Sequence, residues 1–60
     1  MRTLVFEKKD LNRKLYLQPD GSFSPDKSTA REYKGQFWIE LLKIVLQLIQ
    51  IFGVGKLVKK

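Results

Sequence analysis

The side chains of this chain that could do chemistry are carboxylates and lysines, and they are poorly arranged for catalysis. Glu7, Asp10, Asp20, Asp26, Glu32 and Glu40 could in principle act as general acids or bases, but no two are paired at a useful spacing. There is no His and no Cys, so the familiar nucleophile–base pairs and the usual zinc or iron ligand sets are absent. Gly53-Val54-Gly55 is a lone Gly-x-Gly. It follows a helical pattern, whereas a phosphate-cradling loop follows a strand, so it signals a helix end. The expectation is a protein that is not an enzyme and takes no metal or cofactor.

Binding chemistry is better represented. The net charge is +6, which suits an anionic partner such as phospholipid headgroups, nucleic acid or an acidic protein surface. Lys56, Lys59 and Lys60 form a basic tail with no acidic neighbour. Lys8, Lys9, Arg13 and Lys14 surround Glu7 and Asp10, and with Phe6, Tyr16 and Phe23 they resemble a stacking platform only in composition. No nucleic-acid-binding motif accompanies them, and the aromatics alternate with leucine as core residues do. Nucleic-acid binding is therefore a minor alternative.

The element that must position any binding surface is the run from Phe37 to Phe52. On a helix its polar members Glu40, Lys43, Gln47 and Gln50 fall on one stripe about 80° wide, which Gln36 joins. The remaining arc of roughly 240° is wholly apolar, against the little over 100° that a surface helix normally buries. Phe37, Trp38, Leu41, Leu42, Ile44, Val45, Leu48, Ile49 and Phe52 are the candidate interaction residues. Positions 37, 41, 44, 48 and 51 follow heptad spacing, and 38, 42, 45, 49 and 52 follow it on the neighbouring flank. Two adjacent seams suit a bundle of more than two helices.

This surplus of apolar surface predicts another protein chain or a membrane as partner. From Phe37 to Gly55 a helix would cover about 28 Å, close to the roughly 30 Å of a hydrocarbon core. Trp38 at one end and lysines at the other would serve as interfacial anchors. Glu40 and Lys43 within the span point to partner helices facing the polar stripe. The reading is a small non-enzymatic accessory or subunit protein docking in or on a membrane complex. A soluble homo-oligomer with the helix as its core is the alternative, and a membrane-active cationic peptide is a minor one. Mean hydropathy is -0.26, which disfavours a wholly embedded chain. Met1-Arg2-Thr3-Leu4-Val5-Phe6 turns charged at Glu7, too short an apolar stretch for a secretory signal. The first half is expected to face the cytoplasm if the helix enters a membrane; a soluble cytoplasmic protein is the alternative.

The expected fold is α+β, a single domain in two parts. Residues 1–25 read as a short antiparallel β-meander of two to three strands. Thr3–Glu7 and Lys14–Gln18 alternate, the polar stretch from Lys8 to Arg13 links them, Gln18-Pro19-Asp20-Gly21 makes a turn, and Ser22–Ser24 returns. Residues 26–60 read as one long C-terminal helix with a basic tail. Thr29-Ala30-Arg31-Glu32 matches a capping box, with Asp26 or Ser28 as other caps. The helix is expected from about Ala30 to Phe52, with Gly35 inside it and Gly53 as its C-cap. Small chains without disulfides or metals find stability through association, which agrees with the apolar surplus.

Overall fold

Strand β1 (Arg2–Asp10) is the element on which the other strands are built. The computed structural model describes residues 2–60; Met1, the first residue of the region expected to form the meander, lies outside the described residues. Along the chain follow β2 (Arg13–Leu17), β3 (Phe23–Ser24), β4 (Tyr33–Gly35), α1 (Trp38–Phe52) and β5 (Lys56–Lys59). All pairings are antiparallel. Residues 7–10 of β1 face β2, from Glu7↔Tyr16 to Asp10↔Arg13. Residues 2–4 face β4, from Arg2↔Gly35 to Leu4↔Tyr33. Residues 4–7 face β5, from Leu4↔Lys59 to Glu7↔Lys56. Leu4 and Glu7 thus each have a partner on both sides, so β5 occupies one edge of β1 while β2 and β4 share the other. β3 extends the sheet beyond β2 through Tyr16↔Ser24 and Leu17↔Phe23.

The expectation of a meander followed by one long C-terminal helix is wrong. The chain forms a 5-stranded sheet with a helix of 15 residues inserted before the last strand. The local part of the expectation holds: β1, β2, the turn and β3 fall where alternation and turn chemistry place them. The linker between β1 and β2 shrinks to Leu11 and Asn12, because Lys8, Lys9 and Asp10 extend the ladder. Asp10 opposite Arg13 is a favourable cross-strand pair, which helps to close the hairpin there.

The helix does not start at Ala30. Tyr33, Lys34 and Gly35 pair with the start of β1, whose edge would otherwise be unsatisfied, and helical propensity at Gly35 offers little resistance. The capping box does not form. The Thr29 hydroxyl donates to Gln18 Oε1 at 2.8 Å, and the Glu32 carboxylate accepts from Lys60 Nζ at 2.6 Å. Asp26 caps no helix either; its Oδ1 accepts from the Ser28 amide at 3.0 Å in a local turn. The true N-cap is Phe37, which makes no side-chain capping bond, with Glu40 in the first turn complementing the helix dipole. At the other end Gly53 (φ 98°) closes the helix, its amide donating to Ile49 O at 2.8 Å. Lys8 Nζ donates to the Phe52 carbonyl at 2.8 Å, bringing positive charge to the helix C-terminus from the same face of β1 as Phe6. The basic tail is not a tail: Lys56 and Lys59 bound strand β5, and Lys60 continues its pairing.

The core lies between the sheet and α1. Phe6, Leu17 and Leu48 are buried together, with Phe23, Ile44, Val45, Ile49, Phe52 and Leu57 packed around them. Phe6, Phe23 and Phe52 form a ring triad, and Phe23 meets Phe52 edge to face at 5.5 Å. The loop from residue 25 to residue 32 is held to β2 by Gln18, whose buried amide donates to Tyr16 O and Asp26 O, each at 3.1 Å.

Two local turns make the acid side of the stability profile testable. Asp20 accepts from the Ser22 hydroxyl at 2.6 Å and amide at 3.0 Å, and Asp26 accepts likewise from Ser28. These bonds hold both carboxyls below their ordinary values, and the Lys60 hydrogen bond does the same for Glu32. A carboxyl whose pKa is lower folded than unfolded stabilises above the unfolded value, about 4 for these groups, and loses that effect as pH falls through the folded value. NMR titration should therefore place Asp20, Asp26 and Glu32 below ordinary carboxyls, and what these three groups add to stability should be lost as pH falls from about 4 through their lowered values. Titration of Asp20 and Asp26 at or above ordinary values would contradict the two turns.

Candidate interaction surface

The inner face of α1 uses Leu41, Ile44, Val45, Leu48, Ile49 and Phe52, spaced three and one residues apart as one side of a helix requires. The heptad seams expected from the sequence are thus divided. Leu41, Ile44 and Leu48 of the first, and Val45, Ile49 and Phe52 of the second, are turned toward this chain's own sheet. Phe37, Trp38 and Leu42 are exposed. The polar stripe of Glu40, Lys43, Gln47 and Gln50 is exposed as well, on the side away from the core.

Between the core face and the polar stripe lies a flank of large apolar side chains left uncovered. Trp38 is 74% exposed, Ile39 52%, Leu42 44% and Leu46 53%. On the helix these four span about 100° of arc, so they form one continuous patch rather than scattered residues. Ile39 and Leu46 lie outside both heptad seams, seven residues apart on the same line. Their position beside the polar stripe was the sequence signal available for them.

The patch descends into a groove of about 330 Å³ between α1 and β5, walled by Leu4, Trp38, Leu41, Leu42, Val45 and Leu57, with Lys56 among its lining residues. A larger cleft of about 510 Å³ is lined by Glu7, Lys9, Lys14, Val54, Gly55 and Lys56. Lys9 and Lys14 stand directly opposite each other across β1 and β2, an unfavourable like-charge pair. Lys56 Nζ lies 3.9 Å from Glu7 Oε1 and is mostly exposed, so this pair contributes little. No trio of acidic, His or Cys side chains able to hold a metal occurs among the described residues.

At 15 residues α1 is about 22 Å long, well short of a hydrocarbon core. The 28 Å expectation counted Phe37 and residues 53–55, which lie outside the helix. No helix among the described residues is long and apolar enough to cross a membrane. No protein-family model, curated protein or solved structure matches the chain.

Proposed function

We propose that this chain is a small non-enzymatic accessory protein that docks another protein chain on the outer flank of α1 and the groove beneath it. The observation that carries the reading is the contiguous patch of Trp38, Ile39, Leu42 and Leu46, left bare although the opposite face of the same helix is spent on the core. Large aromatic and aliphatic side chains around an apolar groove are the usual anchors of protein interfaces. The assembly it joins is membrane-bound or cytoplasmic. In either setting the reading rests on a protein–protein contact, with the polar stripe and basic residues framing it. A net charge of +6 favours an acidic partner over a second copy of the chain.

The double substitution Leu42→Glu with Leu46→Glu tests this. Both positions are about half exposed, so the melt should move by no more than about 1 kcal/mol in total. Co-purification of the chain with its assembly should fall by about 100-fold or more, as expected when charge is placed in an interface core. A variant that folds and stays in the assembly would refute the reading.

A further inference from the structure

Strand β5 has a free edge beside the groove. The Lys60 amide donates to Thr3 O at 3.1 Å, which fixes Thr3–Lys60 as a hydrogen-bonded pair. Antiparallel ladders alternate, so Val5–Val58 and Glu7–Lys56 are the next such pairs. Leu57 and Lys59 therefore direct their N–H and C=O groups away from β1. Among the described residues no strand pairs with β5 on that side. An unpaired strand edge is a template for another strand, and here it runs beside an apolar trough of about 330 Å³ containing Leu57 itself.

We propose that the occupant is an extended segment of a partner protein, alternating acidic and apolar residues, that adds to β5 as a further strand. This inference rests on the reading of the groove as a protein-docking face. Alternation follows from strand geometry: every second side chain of the added strand would enter the groove against Leu42, Val45 and Leu57. Acidity follows from the lysines of β5. The acidic side chains would lie on the face opposite Leu57, beside Lys56, which is mostly exposed and held only loosely by Glu7 at 3.9 Å, and beside Lys60, which is already paired with Glu32; Lys59 shares the face of Leu57. The same lysines disfavour a second copy. Two β5 strands laid fully alongside each other through Leu57 and Lys59 would set Lys56 opposite Lys60 at both ends.

The test uses the full-length, isotope-labelled chain and three synthetic peptides: nine residues alternating Glu and Val, the same with Lys for Glu, and an amphipathic helix of Glu and Leu. The Glu/Val peptide should slow amide exchange at Leu57 and Lys59 by about tenfold at saturation, leaving Val58 little changed, since its amide already faces β1. Raised salt should weaken it, and Lys56→Glu should lower its affinity about tenfold. Unprotected Leu57 and Lys59 amides, or equal binding of the Lys peptide, would overturn strand addition. If only the helical peptide binds, shifting Leu42 and Leu46, strand addition fails while the docking reading stands. If neither acidic peptide binds, strand addition fails, and the Leu42/Leu46 variant separately decides the docking reading.

Discussion

Phe6→Ala is expected to remove most of the stability of this chain at 25 °C. Phe6 has no exposed surface and sits where β1, β3 and α1 meet, its ring 6.4 Å from Phe23 and 6.5 Å from Phe52. Core Phe→Ala changes cost about 3–5 kcal/mol through lost burial and the cavity left behind. A chain of this length is stable by only about 3–9 kcal/mol at ordinary per-residue values. The loss is thus comparable to the whole. Ile51→Ala, on the same structure but 70% exposed, should change stability by less than about 0.5–1 kcal/mol. Urea titration followed by far-UV circular dichroism reads both. A Phe6→Ala protein within about 1 kcal/mol of the parent would mean that the core is elsewhere.

Gly55→Ala is the second large effect, and its cause is space. A Cβ at Gly55 would stand 2.5 Å from Phe6 Cζ and 2.7 Å from the Glu7 carbonyl oxygen. Neither neighbour can give way: one is a buried ring and the other is backbone in the β1–β5 ladder. Overpacking of this kind costs about 1–3 kcal/mol, and the upper end applies where both neighbours are fixed. That corresponds to a melting temperature lower by about 12–24 °C. Gly21 provides the contrast, because a Cβ there meets nothing within 4 Å while φ is +90°. Gly21→Ala should therefore cost only about 1 kcal/mol, through backbone conformation alone. Equal melts for the two variants would contradict the placement of β5 against Phe6.

The parts of this fold that were legible in the sequence are those whose partners are near in the chain. Alternation in Thr3–Glu7 and Lys14–Gln18, with Pro19-Asp20-Gly21 between β2 and β3, specifies a local antiparallel set. β4 and β5 were not legible, because each is a short segment that, among the described residues, pairs with β1 alone, far away in the sequence. Tyr33-Lys34-Gly35 has no pattern of its own, and Lys56-Leu57-Val58-Lys59 reads as charge before it reads as strand. The Thr29–Glu32 box had the right residue types, but Gln18 and Lys60, distant in sequence, claim both side chains. Lys8 at the helix C-terminus acts across 44 positions, with no local signal.

The exposed apolar flank proposed as the docking surface was half legible. Counting apolar arc on a helical wheel identified more surface than one core could use, and Trp38 and Leu42 are indeed bare. The count could not say which part the chain would cover itself. Ile44, Leu48, Ile49 and Phe52 went to the sheet, while Ile39 and Leu46, outside the heptad seams, were left to solvent. That partition depends on where α1 lands on β1 and β5, which is a tertiary outcome.

The docking claim is tested most directly by site-specific photo-crosslinking at Leu46 and at Gln47, in the cells that make the protein. The two positions are adjacent in sequence and both exposed, but about 100° apart on the helix. The account predicts one discrete adduct with another protein from Leu46 and none from Gln47. Equal adducts from both positions, adducts with lipid alone, or none from Leu46 would contradict it.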